Sequence, residues 1–144
     1  MTTAPANKLR VVLDTNVYFS AFTHYQGPPF RIWQKAVKRS FILLVSPAIL
    51  REIAGVLREV LQWQATDIVA HLKLVARIAE IISPKVSVQV IAEDPTDDRI
   101  LECALAGGAD LIVSGDHHLR KLKSFRNIGI VQPSDFLRTL GPDR

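Results

Sequence analysis

At 144 residues, nearly half of them apolar, the chain has the size and content of one domain with its own core, here taken as residues 1–144 with a core from about 8 to 137. Lys and Arg outnumber Asp and Glu by 18 to 14; the net charge of +4 fits a polyanionic partner without requiring one. A single cysteine excludes an intrachain disulfide and a multi-cysteine zinc site. No apolar run is long enough to span a membrane, and residues 1–8 lack an apolar signal segment, so the expectation is a cytoplasmic protein.

Taken in order, Val11, Val12 and Leu13 predict a strand buried on both faces. It stops at Asp14-Thr15-Asn16. Asp14 either caps the helix predicted over 17–22 or serves the edge of an open α/β sheet where ligands bind. Gln26-Gly27-Pro28-Pro29 breaks the chain, and the next helix is predicted over 29–38. Its spacing puts Phe30, Trp33 and Val37 on one face and Arg31, Lys35 and Lys38 on another. That basic stripe reads as a solvated face or as contacts to RNA. Residues 41–45 predict a second strand. Ser46 then caps a helix with Pro47 in its first position, running to about 61. Ile49, Ile53, Val56, Leu57 and Val60 form its apolar stripe. Glu52 falls about 40° from Val56, on the border of the buried face.

Thr66 or Asp67 predicts the cap of a fourth helix reaching about 82, and residues 86–91 predict a third strand. Asp94-Pro95 starts another helix, with Asp97 in the capping-box position and Gly107-Gly108 as the stop. A fourth strand over 110–113 ends in Ser114-Gly115-Asp116. A short helix over 117–122, a fifth strand over 128–131 and a closing helix over 133–140 complete the chain. Strands alternate with helices throughout, which predicts an α/β fold with a mainly parallel, about five-stranded sheet covered on both faces.

In such a sheet the carboxyl ends of the strands share one edge. Asp14 and Asp116 follow strands directly; Glu52 and Asp97 lie early in helices that follow strands. Four carboxylates brought to one edge repel one another and call for a cation. Oxygen donors without Cys or paired His suit Mg²⁺ or Mn²⁺, and such an ion supports hydrolysis of phosphodiesters. Asp97 precedes Ile100, Leu101 and Ala104 by three, four and seven residues, so it is centred on the apolar stripe of its helix. Asp98 is turned by about 100° toward Glu102 and the rim. Cys103, between apolar neighbours, reads as a core residue. Arg120, Lys121, Lys123 and Arg126 are candidate contacts to a nucleic-acid backbone.

Leu13-Asp14-Thr15-Asn16-Val17, the Glu52 helix after Ser46-Pro47, residues 94–104 and residues 113–119 together resemble the PIN-domain nucleases, and within them the VapC-like toxins of toxin–antitoxin pairs. The resemblance covers nearly the whole chain. It implies a three-layer α/β/α sandwich, a Mg²⁺- or Mn²⁺-dependent ribonuclease acting on RNA, a homodimer and a small antitoxin partner. By position it makes Asp14, Glu52, Asp97 and Asp116 the acidic metal-binding and catalytic residues. Asn16 and Ser114 match supporting polar positions, and Asp98 stands beside Asp97 as a second acid. A phosphatase of the haloacid type needs an acid two residues after Asp14, where this chain has Asn16. A non-catalytic Rossmann-like module for RNA binding or dimerisation, with a degenerate acidic site, is the remaining alternative.

Overall fold

The structure is a computed structural model that describes residues 8–85, 87 and 95–142. The apolar run predicted as the central strand is β1 (Arg10–Leu13), and its last three residues are buried in succession, as both-face coverage requires. It leads into α1 (Thr15–Thr23) and α2 (Pro28–Val37), then β2 (Ile42–Val45). Next come α3 (Pro47–Glu59), α4 (Ala65–Ile78) and the two-residue strand β3 (Glu80–Ile81). After α5 (Pro95–Ala106) follow β4 (Leu111–Val113), α6 (His117–Leu122), β5 (Ser124–Phe125), β6 (Ile128–Val131) and α7 (Pro133–Leu140).

The strands form one sheet in the order β3-β2-β1-β4-β6-β5. All neighbours are parallel except the β5–β6 pair. With its helices the sheet makes an α/β sandwich, as expected. The chain adds β2 and β3 on one side of β1 and then returns to place β4 on the other. β1 and β4 therefore flank a topological switch point, where open α/β sheets bind ligands beyond their carboxyl ends.

Among the described residues the sheet has six strands, where about five were expected. The predicted fourth helix ends at Ile78, four residues early, and its cap position is Gln64 rather than Thr66 or Asp67. Ala79 turns to extended backbone, Glu80 and Ile81 pair with Leu44 and Val45, and Ile82 N donates to Val45 O at 2.7 Å. The apolar Ala79 and Ile82 continue the helical phase in sequence, yet sheet pairing wins over it. β5 also lacked a signal. Its hairpin turn uses Arg126 and Asn127, both at positive φ (48° and 70°), with no glycine to mark it. The strand expected over 86–91 lies outside the described residues apart from Ser87, which has no regular structure.

Local signals held elsewhere. Ser46 Oγ accepts from Ile49 N at 3.2 Å, with Pro47 opening α3. Gly108 at φ +62° stops α5, a conformation glycine adopts without strain. A Cβ on Gly107 would meet Leu44 Cδ1 at 2.9 Å, so that glycine lets the end of α5 close onto the sheet. The inward face of α2, however, is turned from the one expected. Ile32, Lys35 and Ala36 are buried, Phe30 and Trp33 are half-buried, and Val37 is 48 % exposed. Lys35 therefore leaves the solvated basic stripe, on a helix packed against both α1 and α7, while Arg31 and Lys38 stay exposed. Val60, expected in the α3 stripe, is also exposed. Cys103 is fully buried as expected, and burial pushes its thiol up to about 12.

Candidate metal centre

Asp14 follows β1 directly, and its backbone N–H donates to Val113 O at 3.0 Å, so the end of β1 is fixed to the end of β4. It holds the N-cap position of α1, yet its side chain makes no capping hydrogen bond. The carboxylate instead turns to β4: Ser114 Oγ donates to Asp14 Oδ2 at 2.7 Å. The side chain is thereby tied across the sheet edge to the residue that follows β4.

Ser114 is fully buried and also bonds in the other direction, its Oγ accepting from Asp116 N at 2.9 Å. One hydroxyl thus directs its proton to Asp14 and a lone pair to the backbone of Asp116. Asp116 caps α6, its Oδ1 accepting from His118 N at 2.7 Å and Leu119 N at 3.4 Å. Leu119, fully buried, anchors that helix in the core. Asp97 arrives from the first turn of α5 and is 3 % exposed. Each of Asp14, Asp97 and Asp116 offers a carboxylate oxygen, and these atoms all lie within 4.8 Å of one another. Strand ends and a helix start bring together three of the four acids expected at this edge.

Electrostatically the cost of the arrangement falls on Asp14. Burial raises the Asp14 pKa, with Asp116 adding to the rise, while the Ser114 hydrogen bond and the backbone amides of Thr15 and Asn16 pull it down; the result is up to about 6. Three carboxylates with no thiol or imidazole among them make a donor set of hard oxygens, which suits Mg²⁺ or Mn²⁺.

The other site candidates separate. Glu52 is half-buried and stands outside that group of three, lining a small cavity with Thr15, Ile49 and Arg99. Asp98 is not at the rim: it is 4 % exposed, and Glu102 on the same side of α5 is also buried, paired with Arg99 at 3.0 Å. The apolar stripe alone does not reveal that α5 is covered on this side too. Asn16 is exposed beside Asp14. His117 is exposed and His118 half-buried, and Arg120, Lys121, Lys123 and Arg126 are exposed on and after α6, a few residues from Asp116. The two-way hydrogen bonding of Ser114 is beyond what sequence reasoning supplied; Ser-Gly-Asp after a buried strand was its only trace.

Ser114→Ala is expected to leave the fold intact and weaken Mn²⁺ binding roughly 10- to 100-fold, as loss of a residue that orients metal ligands does. Titration calorimetry with Mn²⁺ checks this; unchanged affinity would show that Ser114 only packs.

The PIN domain family matches residues 10–118, and the chain belongs to that family. The uncharacterized protein MJ1680 of Methanocaldococcus jannaschii is 30 % identical over 121 residues, 81 % of this chain and 76 % of that protein. Among solved structures, the fold resembles VapBC2 from Rickettsia felis bound to a DNA fragment from its promoter, with TM-score 0.59, 15 % identity, and coverage of 86 % of this chain and 98 % of that one. DNA-bound VapBC from Salmonella typhimurium gives TM-score 0.58, 18 % identity, and coverage of 87 % and 98 %. At these identities the likeness is one of fold.

Proposed function

We propose that this protein is a metal-dependent endoribonuclease, the toxin of a toxin–antitoxin pair. The observation that carries the reading is the group Asp14, Asp97 and Asp116, within 4.8 Å, beside the switch point of a PIN-domain sheet. These residues would hold Mg²⁺ or Mn²⁺, with Glu52 adjoining the site. The bound cation supplies a water of lowered pKa and charge stabilisation at the phosphoryl group. Asp14 and Asp97 would meet the cation from buried positions, and Asp116 from a half-buried one. Ser114 holds Asp14 in place and fixes the turn that presents Asp116. Exposed Arg120, Lys121 and Lys123, with Arg31 and Lys38 on α2, would bind RNA phosphates; Lys35 is buried and would not reach them as it stands. A small antitoxin protein is the partner, which the named VapBC assemblies support by analogy of fold. The cytoplasm is the compartment this reading implies, and no helix among the described residues is long and apolar enough to cross a membrane.

The purified protein is expected to cleave RNA with Mg²⁺ or Mn²⁺ and to lose that cleavage in excess EDTA. Either cation should also raise its melting temperature, because the ion binds the folded state and neutralises like charges. Cleavage undiminished by EDTA would remove the metal from the mechanism. No cleavage with either ion would favour the non-catalytic module instead.

The second part of the proposal is a homodimer through the α3–α4 region, where Val60, Val69 and Leu74 are exposed at 62 %, 51 % and 39 %. Sedimentation should give twice the chain mass at micromolar concentration; a monomer mass throughout that range rejects it.

A further inference from the structure

We infer that the opposite edge of the sheet carries a second site, a cleft that binds the phosphates of a nucleoside polyphosphate. The cleft holds about 730 Å³, within the usual range for small-ligand sites. It is lined where the strands begin, by Arg10 of β1, Ile42 of β2 and Asp110 just before β4. Asp14 and Asp116 of the candidate metal centre follow the other ends of β1 and β4. Arg10 and Asp14 are four steps apart along the chain, roughly 13 Å at about 3.3 Å per residue.

Charge in the cleft is unevenly matched. Among the described residues its two acids are both directed at Arg10. Glu80 Oε2 lies 2.5 Å from Arg10 Nη2, and Asp110 Oδ2 accepts from the Arg10 backbone N–H at 2.8 Å. Arg10 also donates to Gly107 O, so its guanidinium is committed to the protein. The three remaining cations, Lys8, Arg39 and Arg77, have no carboxylate within ion-pair distance among the described residues. The hydrogen bonds of Lys8 and Arg39 go to neutral carbonyls. Lys8 Nζ donates to Arg39 O at 2.6 Å, and Arg39 reaches Ile78 O and Arg77 O at 3.3 and 3.4 Å.

The two Arg39 contacts also engage carbonyls at the end of α4, whose partial negative charge would otherwise repel an anion there. Arg39 is held in the left-handed region at φ 59°, which fixes its backbone where α2 ends. The wall beside the cations is apolar, from half-buried Ile42, Ile78 and Ala79. Uncompensated guanidinium and ammonium groups suit phosphate, and an adjoining apolar wall suits a base. A nucleoside polyphosphate presents both. Residues 8, 39 and 77 share no motif; only the fold brings them together.

The test is titration calorimetry with ATP, tripolyphosphate and adenosine, in EDTA so that no metal recruits phosphate to the carboxylates. ATP and tripolyphosphate should bind, ATP the tighter, and adenosine far more weakly. The double variant K8Q/R77Q, at two exposed positions, should lose about tenfold or more in ATP affinity, the scale of one charged hydrogen bond. Its melting temperature and RNA cleavage should match wild type, and Asp116→Asn should bind ATP as wild type does. Absence of ATP binding, equal affinity in K8Q/R77Q, or loss of binding in Asp116→Asn would overturn the site. A nuclease-resistant RNA that depends on Lys8 and Arg77 while ATP does not would overturn the nucleotide assignment in favour of a polymer backbone.

Discussion

Asp97→Asn is expected to lower RNA cleavage about a thousandfold or more, the scale of several kcal/mol of metal-assisted stabilisation in the transition state. Asp97 supplies one of the three mutually close carboxylate oxygens, and asparagine offers a neutral oxygen with weaker attraction for a divalent ion. Asp98→Asn is the paired measurement. Asp98 is as buried as Asp97 but contributes to no such group, so the change should act on folding. Replacing a buried, partnered carboxylate costs about 1–3 kcal/mol. The expected pattern is crossed: Asp97→Asn folded and inactive, Asp98→Asn lower-melting with cleavage per folded molecule largely kept. Rates and melting curves measured side by side at equal metal check it. A folded, inactive Asp98→Asn with an active Asp97→Asn would show that the other carboxylate serves the ion.

The same pair shows what the sequence could and could not say. The i, i+3, i+4, i+7 relation of Asp97 to Ile100, Leu101 and Ala104 is a local property, and the structure buries all four. Whether Asp98 is covered depends on what packs along α5 from elsewhere in the chain, and no local period carries that. Lys35 is the same case: it is buried on α2, which packs against α1 and against α7 from nearly a hundred residues later. Capping and stopping signals at Ser46-Pro47 and Gly107-Gly108 were legible because the atoms that satisfy them are adjacent in sequence. β3 was not: two residues in extended pairing are too few for a period of two, and the neighbouring helix phase masks them. At the site, Asp14, Asp97 and Asp116 were legible as acids at strand ends or early in a helix. The Ser114 bridge was not, because it joins positions 100 residues apart.

Asp14→Asn is expected to abolish cleavage and, without metal, to stabilise the fold. Asp14 is held at a pKa of about 6 against an ordinary 3.8, chiefly because burial disfavours its charge. The folded state therefore binds its proton more tightly than the unfolded chain does. For a carboxyl raised in this way, the penalty is fully present above about pH 6, shrinks as pH falls from there toward the unfolded value, and is absent below it. A rise of roughly two pKa units corresponds to about 3 kcal/mol at most. Asparagine fits the site without that penalty, since its carbonyl oxygen still accepts from Ser114 Oγ. In EDTA near neutral pH the variant should melt several degrees above wild type, and the gap should close toward about pH 4. Saturating Mn²⁺ should then raise wild type far more than the variant, because the cation stabilises the charged carboxylate that the variant lacks. Melting curves across pH, with and without Mn²⁺, check both statements. A variant no more stable than wild type in EDTA near neutral pH would mean that the Asp14 charge is already compensated within the protein, without a metal ion.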